Sequence, residues 1–142
     1  MNADMEKIKA LMKGEGYTCV LTDGQTVICS RERGVKPLLE LYESGRDMSR
    51  FCAADKVVGK AAAHMYALMG VREVYAEVLS RHALELFKDK GISAKYGSLV
   101  DAIRNRSGDG YCPMEQATLG ISDPRDAYEA IKTRLSELRE AR

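Results

Sequence analysis

The stretch FCAADKVVGKAAAHMYALMGVREVYAEVLSRHALELFKDKGISAKY, residues 51–96, decides the fold. Residues 50–55 are a short apolar run of strand type. Residues 57–69 carry Ala61, Ala62, Met65, Leu68 and Met69 at helical spacing, and Gly70 follows as a C-cap. Residues 71–79 are the clearest strand, rich in Val with Tyr75. Ser80 is a good N-cap for a helix carrying Ala83, Leu84 and Phe87, closed by Lys88, Lys90 and Gly91. Residues 92–96 make a last, short strand. Such alternation implies parallel strands joined by right-handed crossovers.

Working outward, Met5, Ile8, Leu11 and Met12 recur on a helix stopped by Gly14 and Gly16. Residues 17–22 and 26–32 flank Asp23-Gly24 and read as a hairpin at one sheet edge. Leu38, Leu39 and Leu41 lie on a short helix with Pro37 in its first turn, ending at Gly45. The expected class is α/β: a three-layer α/β/α sandwich on a mixed five-stranded sheet, with residues 71–79 inside. Residues 1–142 form one domain, and residues 98–142 are a C-terminal extension packed on the core. In it, residues 98–110 read as a turn of helix and a loop. Asp123-Pro124 opens a final helix with a stripe of Ala127, Ile131, Leu135 and Leu138.

A chain of 142 residues is of ordinary single-domain size. Its 22 basic and 21 acidic side chains leave a formal charge of +1, so no long-range field favours nucleic acid or an anionic membrane. With no Trp and two Phe, a stacking platform for bases is not expected. No apolar run approaches a membrane span, and the first ten residues lack the apolar stretch of a signal peptide. Cys19, Cys29, Cys52 and Cys112 form no Cys-x-x-Cys pair; free thiols in the cytoplasm are expected.

Several residues stand out chemically. Gly59-Lys60 fails as a phosphate-binding loop, because Ala54 and Ala61 occupy positions that need Gly and Ser or Thr. Asp55, Lys56 and Lys60 still cluster where a strand gives way to a helix start, a place suited to an anion. Cys112 precedes a Pro at a helix start, with Glu115 three residues on, which favours either a reactive thiol or a buried cap. His64 lies one turn after Lys60 and is a candidate base for Cys112, against the commoner partly exposed helix His. Asn105 and Arg106 lie in a Gly-rich loop suited to clamping an anion. Cys19, Cys29 and Cys52 fall in strands and are expected in the core. Met48, Met65, Tyr66 and Met69 are candidates for an apolar partner surface.

The runs Ala54-Asp55-Lys56-Val57-Val58-Gly59-Lys60-Ala61-Ala62-Ala63 and Cys112-Pro113-Met114-Glu115-Gln116, with the order of elements, resemble an uncharacterised prokaryotic family placed in the cytidine deaminase-like superfamily. That resemblance implies a crevice at the starts of the helices after the second and third strands. In zinc deaminases of that fold, these starts carry the metal ligands and the proton-shuttling Glu. Here they read Arg33-Gly34-Val35-Lys36-Pro37 and Asp55-Lys56-Val57-Val58-Gly59-Lys60, which offer no such ligand set. No cofactor and no zinc are therefore expected. The expected function is binding or modification of a small anionic ligand, nucleotides included, in a metal-free crevice. Cys112 and Lys60 are its reactive groups, and Asp55, Lys56, Glu115, Asn105 and Arg106 its binding groups. A non-catalytic interaction or self-association domain is the alternative, and a homo-oligomer is compatible with either.

Overall fold

A computed structural model describes residues 2–105 and 107–140. Helix α1 (Asn2–Glu15) leads into strands β1 (Cys19–Thr22) and β2 (Val27–Ser30). The hairpin forms as its turn chemistry requires. Asp23 Oδ1 accepts from the backbone N–H groups of Gln25 and Thr26, and Gly24 takes a positive φ of 97°. Helix α2 (Lys36–Glu43) follows, then β3 (Cys52–Val58), α3 (Lys60–Met69), β4 (Glu73–Ser80), α4 (Arg81–Asp89) and β5 (Ser93–Val100). The chain ends with α5 (Pro113–Thr118) and α6 (Pro124–Glu140).

The strands form one mixed sheet in the order β2-β1-β3-β4-β5. The hairpin sits at one edge, β1 runs antiparallel to both β2 and β3, and β3, β4 and β5 are parallel. Side chains alternate between faces along each strand. Val20, Cys52 and Ala54 pack with Met5, Ile8 and Met12 of α1. Cys19, Leu21 and Ala53 face the larger cluster of α2, α3, α4 and Ile131 of α6.

Helix α3 is the hub of that cluster, with α2, α4, α5 and α6 all packed on it. Its burial is consequently not confined to one stripe. Ala63, His64 and Tyr66 are wholly buried, while Ala62 and Leu68, expected on the inner face, are partly exposed. Gly70 ends the helix in the left-handed region (φ 75°), as its position predicts. Ser80 caps α4, accepting from the Ala83 N–H at 3.1 Å. Met48, Met65, Tyr66 and Met69 all lie in the core, so they form no partner surface.

The largest departures from the expected boundaries are at β3–α3 and at the end of β5. Strand β3 runs to Val58, and α3 starts at Lys60 rather than at residue 57, because Gly59 takes an extended conformation as its N-cap. Strand β5 continues to Val100, so residues 98–100 are strand and not a turn of helix. Gly97 permits this: a Cβ there would stand 2.9 Å from the Glu77 carbonyl oxygen. Among the described residues, no helix is long and apolar enough to cross a membrane.

Candidate functional site

Beside the carboxyl end of β3, the start of β1 and the first turn of α2 stand apart and leave a cleft of about 530 Å³. Thr18 and Cys19 line it from β1, Asp55 and Lys56 from β3, and Arg33 and Gly34 from the loop before α2. The cleft lies where the chain's strand order turns from one side of β3 to the other, the usual place for a ligand in an open α/β sheet. Val35, at the N-cap of α2, provides no side-chain cap, and Pro37 follows in the first turn. Arg31, Arg33 and Lys56 outnumber the carboxyl groups of Glu32 and Asp55 in its lining, and with the positive end of the α2 dipole they favour negative charge in the cleft.

Asp55 is 9% exposed, on the floor of this cleft. Its Oδ2 accepts a 2.6 Å hydrogen bond from the Tyr66 hydroxyl, and its Oδ1 a 3.3 Å bond from the Val57 N–H. The Tyr66 hydroxyl also lies 3.3 Å from the Cys19 sulfur. The antiparallel register makes this chain of contacts, since Cys19 is the β1 partner of Asp55. Among the described residues no Lys or Arg forms an ion pair with Asp55. Burial pushes its carboxyl up to about 6, against the opposing pull of the Tyr66 hydrogen bond. Burial and the Asp55 charge raise the Tyr66 phenol and the Cys19 thiol well above their ordinary values.

The other candidates assemble nearby, around the start of α3, and for a different purpose. Glu115 is 1% exposed, and its two carboxylate oxygens accept from the backbone N–H groups of Lys60 (2.6 Å) and Ile103 (2.7 Å). The carboxylate thereby caps the N-terminus of α3 from outside the helix. It fits because residue 59 is Gly: a Cβ there would be 3.0 Å from both Glu115 Oε1 and Ile103 Cγ1. The Lys60 ammonium donates to the Leu119 carbonyl at 2.7 Å. His64 Nε2 lies 3.0 Å from the Ile121 carbonyl oxygen. Burial holds the His64 imidazole down to about 4, so near neutrality it is uncharged and Nε2–H is the donor. Glu115, Lys60 and His64 are therefore three clamps that dock Ile103, α5 and residues 119–121 on α3.

The sequence placed Asp55, Lys56, Lys60, Cys112 and Glu115 around one pocket. The tail does fold back onto the start of α3, but Lys60, Cys112 and Glu115 do not line the cleft that holds Asp55 and Lys56. Glu115 meets the Lys60 backbone rather than its ammonium. Cys112 is the N-cap of α5 and half-buried; its N–H donates to the Ile103 carbonyl at 2.8 Å. His64, expected to be partly exposed, is fully buried because α3 is covered on its outer side too. Asn105 donates to Asp109 Oδ1 at 3.1 Å within its own loop. Arg106 lies outside the described residues. Cys29, expected in the core, is exposed because β2 is an edge strand. Tyr66, Thr18 and Cys19 are cleft or floor residues that the sequence reading missed. A hydroxyl among the apolar residues of the second half of α3 was the one available signal for Tyr66.

These features define an α/β protein with a mixed five-stranded sheet and a cleft floored by a buried carboxyl group. Residues 7–135 match the model of the DUF1893 family (TM1506), a domain of unknown function, and the chain belongs to that family. The crystal structure of a DUF1893 family protein, TM1506 from Thermotoga maritima, at 2.70 Å resolution is similar, with a TM-score of 0.86. The likeness covers 92% of this chain and 88% of that one, at 25% sequence identity. No curated protein matches the chain.

Proposed function

We propose that this protein binds a small anion in the cleft beside α2, with Asp55 as the group that exchanges a proton with it. The observation that carries this reading is Asp55 itself, a buried carboxyl held in an open cleft with no cationic partner among the described residues. Folding alone does not favour such a group, because its ionised form opposes burial. Its pKa of about 6 suits proton transfer near neutrality. Arg33, Lys56 and the α2 N-terminus supply the positive surroundings that an anion needs.

The reading includes a degenerate crevice of the cytidine deaminase-like fold, in a three-layer arrangement with residues 98–142 as an extension of a single domain. Helices on both sheet faces and the cleft's place at the start of α2 support it. Zinc does not fit this crevice. Arg33, Lys56 and Lys60 stand about the two helix starts, and no three His, Cys, Asp or Glu side chains converge among the described residues. The four cysteines are unpaired, which suits the reducing cytoplasm.

Calorimetric titration with inorganic phosphate tests the proposal. Lys56→Glu or Arg33→Glu weakens binding by at least about tenfold, near 1.4 kcal/mol. Asp55→Asn removes the inflection of affinity near its pKa of about 6. Absence of heat at millimolar phosphate, or affinity indifferent to both charge reversals, sinks the reading.

A second reading, self-association, has one observation in its favour. Strand β5 is a sheet edge of eight residues, largely exposed, with Tyr96 42% exposed upon it. Pairing through β5 gives twice the 15.7 kDa chain mass by light scattering, reduced to one chain mass by a proline at Ser98. A concentration-independent monomer excludes it.

A further inference from the structure

The α2 cleft adjoins a second compartment of different character. A groove of about 280 Å³ runs between α2 and the β1–β2 hairpin, and it shares Cys19, Glu32, Pro37 and Leu38 with the cleft as a common wall. It exists because α2 rests on α3 rather than on the hairpin. Its base is aliphatic, with Leu21 and Leu38, and Ile28 and Leu41 stand half-buried along the sides; Ser30, Glu32 and Glu40 complete the lining, and the two carboxylates repel a charged head from this end. Cys29 also lines it and is exposed. Arg31, Arg33, Lys56 and a helix N-terminus therefore lie at one end of a continuous wall, and half-open aliphatic surface without a cation lies at the other.

We infer that the ligand is an amphipathic anion: a phosphate-like head at the start of α2 and an aliphatic substituent lying along α2 against Ile28 and Leu41. This rests on the reading of the cleft as an anion site. Charge selects the head, since the cations are confined to the cleft end, at Arg31, Arg33 and Lys56. Apolar burial selects the substituent, since an alkyl chain covers aliphatic wall that folding leaves partly wet. An inorganic anion alone would leave the groove unused.

The test is calorimetry of the full chain with inorganic phosphate, butyl phosphate and octyl phosphate, the last below its micelle concentration. Affinity rises along the series, and octyl phosphate binds at least about tenfold more tightly than inorganic phosphate. Ile28→Asp abolishes that gain and leaves inorganic phosphate binding unchanged. Leu41→Asp does the same and serves if circular dichroism shows the first variant unfolded. In the unmodified protein, octyl phosphate slows alkylation of Cys29 by iodoacetamide, and inorganic phosphate does not. Equal affinity along the series overturns the inference while the anion site stands. A gain that survives both variants overturns it too, because the alkyl chain then lies elsewhere. Failure of every phosphate to bind overturns the cleft reading as well. Phosphatidylglycerol vesicles should not sediment the protein; if they do, the partner is a bilayer surface and not a small molecule.

Discussion

Replacing Glu115 with Ala lowers stability by roughly 4 kcal/mol. The carboxylate is almost wholly buried and accepts from two backbone N–H groups on separate segments. Its removal strands both donors, at about 1–3 kcal/mol each, and leaves a cavity beside Gly59. Gln restores the volume but accepts with one oxygen only, and turns an amide N–H toward a donor. It should recover less than half of the loss. Gly59→Ala attacks the same contact from the other side, because its methyl needs the space that Glu115 Oε1 and Ile103 occupy. Urea unfolding measures all three, and a loss under about 1 kcal/mol for the Ala variant at position 115 would contradict the clamp.

Two buried groups, Asp55 and His64, should give opposite pH slopes of stability that nearly cancel in the unmodified protein. The folded-state pKa of Asp55 is raised from 3.8 to about 6. Between those values the folded state holds the extra proton, so stability falls as pH rises through the window. The folded-state pKa of His64 is lowered from 6.5 to about 4. There the unfolded state holds the extra proton, so stability falls as pH drops through nearly the same window. Each full contribution is roughly 3 kcal/mol, at about 1.4 kcal/mol per pH unit. Asp55→Asn should therefore gain about 3 kcal/mol relative to the unmodified protein on going from about pH 4 to about pH 7. His64→Gln, which keeps an N–H for the Ile121 carbonyl, should gain a similar amount in the reverse direction. Stability differences taken from urea unfolding at several pH values cancel the common background of surface carboxylates. Parallel curves for all three proteins would show that neither group is perturbed.

The candidate residues and their grouping were unequally legible. Asp55 and Lys56 are neighbours in the chain, so a helix-start argument placed both beside a cleft. Lys60 and Glu115 were singled out as polar groups in segments that need none for folding, and His64 as a candidate base one turn after Lys60; for these three the fold does need the polar group. Each holds the tail to α3 through a backbone group 55 to 59 residues away. Cys29 was misplaced for a related reason. Alternation marks a strand, but only the order β2-β1-β3-β4-β5 makes β2 an edge with an open side.

By itself the sequence determined the elements and the mixed character of the sheet, a hairpin joined to parallel strands. The alternation in residues 51–96, the Asp23-Gly24 turn, the Ser80 cap and the Gly70 stop all act over a few residues, and each formed where its chemistry required. Gly59 shows the limit of such signals. It starts α3, as local rules allow, but its missing side chain is used by a carboxylate from α5. Only the tertiary structure decided which polar groups are clamps and which face the cleft. A hydrogen bond depends on where two distant segments meet, and the path of residues 112–121 over α3 leaves no periodic trace in the chain.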